Sequence, residues 1–213
     1  MSLEVYTLPL ENYGANCYFL RDGENDEGAV IDPGAFSPAF LEMYGKSGIK
    51  KLRYILFTHG HFDHILGGAR LKAMFPEASV AIGAADAPAL SDSVLSLSAR
   101  YGIEQEPLCA DVFFRDGDTF DIGGTRFRVL SCPGHTSGGV SYICDSEEAV
   151  FTGDTLFCKT IGRTDFPGGS LSELLKSVLR LMELPDSYTV YPGHNRSTSI
   201  GAERNTNRYL RKL

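Results

Sequence analysis

The feature that most constrains this chain is the segment Thr58-His59-Gly60-His61-Phe62-Asp63-His64, which follows the apolar run Arg53-Tyr54-Ile55-Leu56-Phe57. A run of β-branched and aromatic residues predicts a strand, so the cluster falls on the loop at its end. In extended backbone, residues i and i+2 point the same way, so His59 and His61 can present two imidazoles to one point. As the chain turns into a helix expected from about Ile65 to just before Pro76, Asp63 and His64 can aim at a second point nearby. Imidazole and carboxylate are the groups that Zn²⁺, Fe and Mn take as ligands. The remaining histidines each follow a Pro-Gly corner, Pro133-Gly134-His135 and Pro192-Gly193-His194, a rigid way to aim a side chain off a strand end. Gly153-Asp154 ends another apolar run in the same manner. Asp154 is therefore the candidate bridging carboxylate, on the expectation that the neighbouring strands end in His135 and His194.

The chain around this cluster reads as one domain over residues 1–213, without repeats, linkers or low-complexity tracts. Strands are predicted near 3–8, 16–22, 27–31, 53–57, 111–114, 118–121, 125–131, 139–144, 149–152 and 188–191. A helix is predicted at 38–46, with Ser37 as its cap and Pro38 in the first position. Ser170-Leu171-Ser172-Glu173 has the capping-box pattern, and Leu171, Leu174, Leu175, Val178, Leu179 and Met182 recur at helical spacing. A terminal helix starts at about Ser199, and 86–108 reads as helical with a loop. Two groups of strands, each followed by helices, fit two packed sheets with helices outside.

Composition narrows the function. The 20 Lys+Arg against 27 Asp+Glu, with no basic run, argue against nucleic acid as a partner. No run approaches the ~18 apolar residues of a membrane span, and Met1-Ser2-Leu3-Glu4 lacks the basic and apolar regions of a signal peptide. Five Cys, widely spaced with no CxxC pair, read as reduced thiols in a cytoplasmic protein. Cys132 and Cys158, close in sequence to His135 and Asp154, are expected to be buried, inert thiols. Asn16, Cys17 and Tyr18 are explained by core packing. The expected partner is a small-molecule substrate, and the oligomeric state is left open.

The order Thr58-His59-x-His61-x-Asp63-His64, then His135, Asp154 and His194, resembles the metallo-β-lactamase-fold hydrolases. Gly153-Asp154-Thr155-Leu156-Phe157, Gly162-Arg163-Thr164-Asp165-Phe166 and Tyr191-Pro192-Gly193-His194 are similar to the small glyoxalase II-like members, also known as hydroxyacylglutathione hydrolase-like. The resemblance runs from about Asn16 to Tyr209. It implies an α+β fold, a four-layer αββα sandwich with metals at the edge of the two sheets. It further implies that His59, His61 and His135 hold one metal, that Asp63, His64 and His194 hold a second, and that Asp154 bridges. Members that carry Cys at the position of Asp154 are not matched, so antibiotic hydrolysis is set aside.

Two such metals, about 3.5–4 Å apart, share a water and lower its pKa toward ~7, and Asp63 is expected to act in catalysis together with that water. The expected cofactors are two Zn²⁺ per chain, with iron or manganese as alternatives. The resulting hydroxide would attack a thioester such as an acyl-glutathione, whose thiolate leaves without a strong acid. Thr58 and Asp32 are expected to orient the ligand imidazoles. Arg163 either neutralises a substrate carboxylate or pairs with Asp165 to brace its loop. A second reading follows from the persulfide dioxygenases, which share the fold and a similar Gly-Arg-Thr-Asp-Phe loop and use one iron, here on His59, His135 and Asp154. Glyoxalase II enzymes of the longer kind carry a C-terminal helical domain that grips glutathione, whereas this chain stops soon after His194, so another small thioester or a lactone also fits.

Overall fold

The computed structural model describes residues 3–11 and 13–210. Its first sheet contains β1 (Leu3–Pro9), β2 (Asn16–Asp22), β3 (Glu27–Ile31), β4 (Lys51–Leu56), β5 (Ser79–Gly83) and β6 (Val112–Phe114), in that spatial order. The first three pair antiparallel and the last four parallel. The second sheet runs in the order β14 (Thr198–Ser199), β13 (Thr189–Pro192), β10 (Ala149–Gly153), β9 (Val140–Cys144), β8 (Thr125–Ser131), β7 (Thr119–Ile122). Within it, only β10 and β13 pair in parallel. A short antiparallel pair, β11 (Leu156–Phe157) and β12 (Thr160–Ile161), lies beside them.

The period-2 alternation of strand side chains divides the buried residues among three cores. On β2, Tyr18 and Leu20 face the second sheet, while Phe19 faces outward; on β3, Ala29 and Ile31 face inward and Val30 outward. The inward set meets Phe127, Tyr142 and Phe151 of the second sheet. The outward set meets Phe40 of α1 (Pro38–Ser47) and Leu71 of α3 (Gly68–Met74). Behind the second sheet, Ile143, Val150 and Val190 pack against Leu174, Val178 and Leu181 of α4 (Leu171–Leu181) and Ile200 of α5 (Ile200–Thr206). Three stacked cores make four layers, the αββα sandwich expected from the sequence. The Ser37, Ser170 and Ser199 hydroxyls accept the N–H groups of Phe40, Glu173 and Ala202 and so cap α1, α4 and α5.

Several expectations are corrected. Strand β5 was not predicted: Ser79-Val80-Ala81-Ile82-Gly83 is apolar on both faces because it is a central parallel strand, and so lacks alternation. The helix expected from Ile65 starts earlier, as α2 (Phe62–Ile65), and breaks before α3. At the break the Gly67 N–H donates to the Pro33 carbonyl (2.7 Å), and a Cβ there would lie 2.5 Å from that oxygen. Among residues 86–108 the helical pieces are single 3-10 turns at Ala87–Leu90 and Ser98–Tyr101. Finally, His135 does not follow a neighbour of β10: it follows β8, and β9 lies between the two.

Candidate metal centre

All seven sequence-derived donors meet at one edge of the two sheets. His59 and His61 lie on the loop after β4, with His61 in the cap position of α2, so Asp63 and His64 occupy that helix's first turn. His135 comes from the loop after β8, Asp154 from the end of β10, and His194 from the corner after β13. Three sets of donor atoms each fall within 4.8 Å of one another: His59, His61 and His135; His59, His64 and Asp154; Asp63, His64 and His194. Asp154 lies between the two sides, with Oδ1 3.5 Å from His64 Nε2 and Oδ2 3.4 Å from His135 Nε2 and 3.6 Å from His194 Nε2. His194 Nε2 is 3.3 Å from Asp63 Oδ2 and 3.4 Å from His64 Nε2. Gly193 makes room for this: a Cβ there would lie 2.2 Å from Asp154 Oδ1.

Backbone and side-chain partners fix which nitrogen of each ring faces the centre. His64 Nδ1 donates to Asp32 Oδ2 (2.9 Å), His135 Nδ1 to the Arg163 carbonyl (2.8 Å), and His194 Nδ1 to the Gly14 carbonyl (2.9 Å). The Thr58 hydroxyl donates to Asp32 Oδ2 (2.6 Å) and so can accept from His59 Nδ1 (3.2 Å). These four rings turn Nε2 inward. His61 faces inward through Nδ1, 2.9 Å from His135 Nε2. Asp32, at φ +52, also accepts the Thr58 N–H (2.7 Å), so one carboxylate braces the start of the donor loop and one donor ring.

Of the four buried side-chain atoms without a hydrogen-bond partner among the described residues, two, His59 Nε2 and Asp154 Oδ1, belong to the donor cluster. Buried polar atoms without partners are costly in native structures and call for an occupant. Ligands about 2.0–2.2 Å from a tetrahedral cation stand roughly 3.3–3.6 Å apart, the spacing found from Asp154 to His64, His135 and His194 and from His194 to Asp63 and His64. The residues therefore fit divalent cations. Burial and the neighbouring imidazoles hold His59 well below its ordinary pKa, and burial together with His135 pulls His61 down to about 3, so both stay neutral donors. On the other side burial opposes charge on His64, but Asp63, Asp154 and Asp32 outweigh it and raise the imidazole to about 10. That side carries carboxylate charge in excess, which a cation would neutralise.

Two groups that the sequence reading missed hold the donors. Asn16 and Tyr18 do more than pack a core. The Asn16 N–H donates to the Gly193 carbonyl (2.7 Å), its Nδ2 to the carbonyls of Pro192 (3.0 Å) and Asn195 (2.8 Å), and the Tyr18 hydroxyl to Pro192 (2.6 Å). Asp86, buried, accepts the N–H of Gly60 (2.9 Å) through Oδ2 and of Gly138 (2.7 Å) through Oδ1. It thereby ties the His59/His61 loop to the loop that follows His135. A polar side chain at the head of the apolar run Cys17–Leu20 was the available signal for Asn16. The Arg163 side chain forms two 2.6 Å bonds to Asp165 and lies over the Phe166 ring, 4.1 Å from its centroid. Cys132 is buried against the Ser141 hydroxyl, and burial pushes its thiol up to about 11.

The model of the metallo-beta-lactamase superfamily matches residues 11–194. The chain belongs to that superfamily. Among its superfamily relatives, hydroxyacylglutathione hydrolase GloC of Haemophilus influenzae is 32% identical, covering 99% of this chain and 98% of its own. The crystal structure of BLEG-1, named a B3 metallo-beta-lactamase, superposes with a TM-score of 0.91 at 32% identity, covering 97% of this chain and 99% of its own. TTHA1623 in a di-iron-bound form superposes at 0.85 with 33% identity over 97% and 100%. ETHE1 from Myxococcus xanthus superposes at 0.80 with 29% identity over 97% and 84%. Among the described residues, no helix is long and apolar enough to cross a membrane.

Proposed function

We propose that this superfamily member is a dinuclear metallohydrolase of a small thioester, an acyl-glutathione or a related acyl-thiol. His59, His61 and His135 would hold one cation and Asp63, His64 and His194 the second, with Asp154 between them. The observation that carries this reading is the convergence of seven donors around two buried atoms, His59 Nε2 and Asp154 Oδ1, that no protein group satisfies. Zinc is the proposed metal, on the basis of an imidazole and carboxylate donor set. Bound there, such cations would activate a water at neutral pH and polarise the substrate carbonyl.

The chain's own residues prepare that chemistry. Thr58, Asp32 and the carbonyls of Arg163 and Gly14 lock the rings, so the donors need little reorganisation. A cavity of about 610 Å³ opens on His61, Asp63, His135, Asp154 and His194. Outside the donor set, its titratable lining groups are Tyr101 and Arg163. A site so poor in general acids suits a leaving group that departs as a stable anion, which favours a thiolate over an amine. The name of the GloC relative supports the same substrate class. Five free cysteines, three of them buried, suit the reducing cytoplasm.

One experiment tests the reading. The protein is purified without added metal; zinc, iron and manganese are measured per chain; and cleavage of acyl-glutathione, cleavage of a β-lactam and oxygen uptake with glutathione persulfide are assayed side by side. Two metal equivalents with thioester cleavage are expected. One iron per chain with sulfite formation would replace the hydrolase with an oxygenase on His59, His135 and Asp154, and lactam turnover without thioester turnover would replace the substrate class.

A further inference from the structure

An aromatic row lies beside the donor cluster and outside all three cores. Phe62, between His61 and Asp63, meets Tyr13 edge to face at 5.1 Å between centroids and Tyr101 at 5.2 Å. Tyr13 and Tyr101 are 37% and 52% exposed, so the row is not explained by burial on folding. Leu97 stands beside it with φ +69, a left-handed conformation that a residue with a branched side chain rarely adopts. Such strain persists only where the surroundings impose it. Here the Phe62 N–H donates to the Ser96 carbonyl (2.9 Å), and Gln105 accepts the Ser98 hydroxyl (3.1 Å) and donates to the Ala89 carbonyl (2.8 Å). The segment carrying Leu97 and Tyr101 is thus pinned to the start of the donor helix.

Together, Phe62, Leu97, Tyr101, Phe157, Ile161 and Phe166 supply the apolar part of the cavity lining. Arg163 is the sole Lys or Arg among the described lining residues, and its guanidinium is committed to Asp165. A carrier bearing two carboxylates would find Arg100, over the Phe166 ring at 5.3 Å from its centroid, as the remaining cation beside the wall, while Asp63 and Asp154 line the same cavity. The net charge of −7 repels polyanions further.

Resting on the hydrolase reading above, we propose that this wall is an acyl-binding channel. Its substrates are thioesters with an apolar, unbranched alkyl or aryl acyl group. Hydrolysis breaks the acyl C–S bond and forms a C–O bond to the water oxygen, giving carboxylate, thiol and one proton. The Phe62–Tyr101 pair and Leu97 hold the acyl chain as it leaves the reaction centre.

The test uses binding as well as turnover. Butanoate, hexanoate and octanoate are titrated into the metal-loaded protein, and acetyl and hexanoyl thioesters of N-acetylcysteamine are compared with hexanoyl- and lactoylglutathione. Affinity is expected to rise about two- to threefold per methylene, since each buried CH₂ adds to transfer free energy. Tyr101→Ala is expected to weaken octanoate about tenfold while leaving butanoate unchanged; Tyr13→Ala, outside the cavity lining, is expected to leave both alkanoates unchanged. Metal content and melting temperature establish that both variants fold. Flat alkanoate affinity, or lactoylglutathione preferred more than tenfold over hexanoyl thioesters, overturns the channel even if thioesters are cleaved. Length-dependent binding without cleavage of any thioester upholds the channel and overturns the hydrolase reading alone.

Discussion

The side-chain amide of Asn16 grips the backbone on both sides of His194, at the Pro192 carbonyl (3.0 Å) and the Asn195 carbonyl (2.8 Å). Asn16 begins β2 in the first sheet, and His194 follows β13 in the second, so this contact joins the sheets at the donor edge. Asn195, at φ +68, and the glycine at 193 make a corner that the Asn16 side chain holds in place. Asn16→Leu, which retains bulk but not the two bonds, is expected to cost about 1–3 kcal/mol of stability from unsatisfied buried carbonyls. Affinity for the second metal equivalent should fall about 10–100-fold, as for the loss of other groups that orient ligands. Metal titration with a competing chelator reads this, and unchanged affinity for both equivalents would remove Asn16 from the support of His194.

Asp86 offers the complementary case on the other side. Gly60 lies between His59 and His61, and Gly138 follows His135 by three residues; the two N–H groups converge on one carboxylate. Asp86→Ala leaves both buried donors without an acceptor, at an expected cost of about 2–4 kcal/mol. The loss of affinity should appear at the first metal equivalent, held by the three imidazoles, with the second less affected. A variant that melts lower but binds both equivalents as before would reduce Asp86 to a purely structural brace.

How much of this was legible depends on whether the information was local. The donor motif was readable because chelating chemistry is encoded in residue type and short spacing, and because Pro-Gly and Gly-Asp corners mark strand ends. Helices α1 and α4 were readable from their serine caps and, in α4, an apolar stripe that recurs at helical spacing. Strand β5 was not, because a strand buried on both faces has no alternation to detect. The roles of Asn16 and Asp86 were hidden for another reason. Their partners are backbone groups 176 and 52 residues away, and no local pattern records a bond to a distant carbonyl or amide. The break at Gly67 was hidden likewise, since it is set by the carbonyls of Pro33 and Ala35.

The donor cluster sits at the sheet edge and contributes no residue to the three apolar cores. His61→Ala is therefore expected to abolish turnover while preserving the far-ultraviolet circular dichroism of the native fold. Chelation of the wild type should likewise remove activity, and lower the stability by the binding free energy, about 4 kcal/mol per site where free metal stands at 1,000 times Kd, which a melting curve reads. Unchanged thioester turnover in His61→Ala would refute the assignment of His61. Loss of the sheets on chelation would show that metal, rather than the cores, holds the sandwich together.

Asp22 supplies a test of stability away from the metals. Its carboxylate closes the β2–β3 turn by accepting the N–H groups of Glu24 (3.0 Å) and Asn25 (2.9 Å), and reaches the β7–β8 turn at the Gly124 N–H (2.9 Å). Burial pushes the carboxyl up, but these N–H donors outweigh it and hold it below the ordinary 3.8. Because the folded value lies below the unfolded one, the stabilisation is fully present above about pH 4 and is lost as pH falls through the folded value. Asp22→Asn is expected to destabilise the protein at pH 7 by about 1–3 kcal/mol and by less at acid pH, once the wild-type carboxylate has taken up its proton. Urea midpoints at the two pH values measure the difference. An equal loss at both would mean that the charge of Asp22 contributes nothing, and that only the shape of the turn matters.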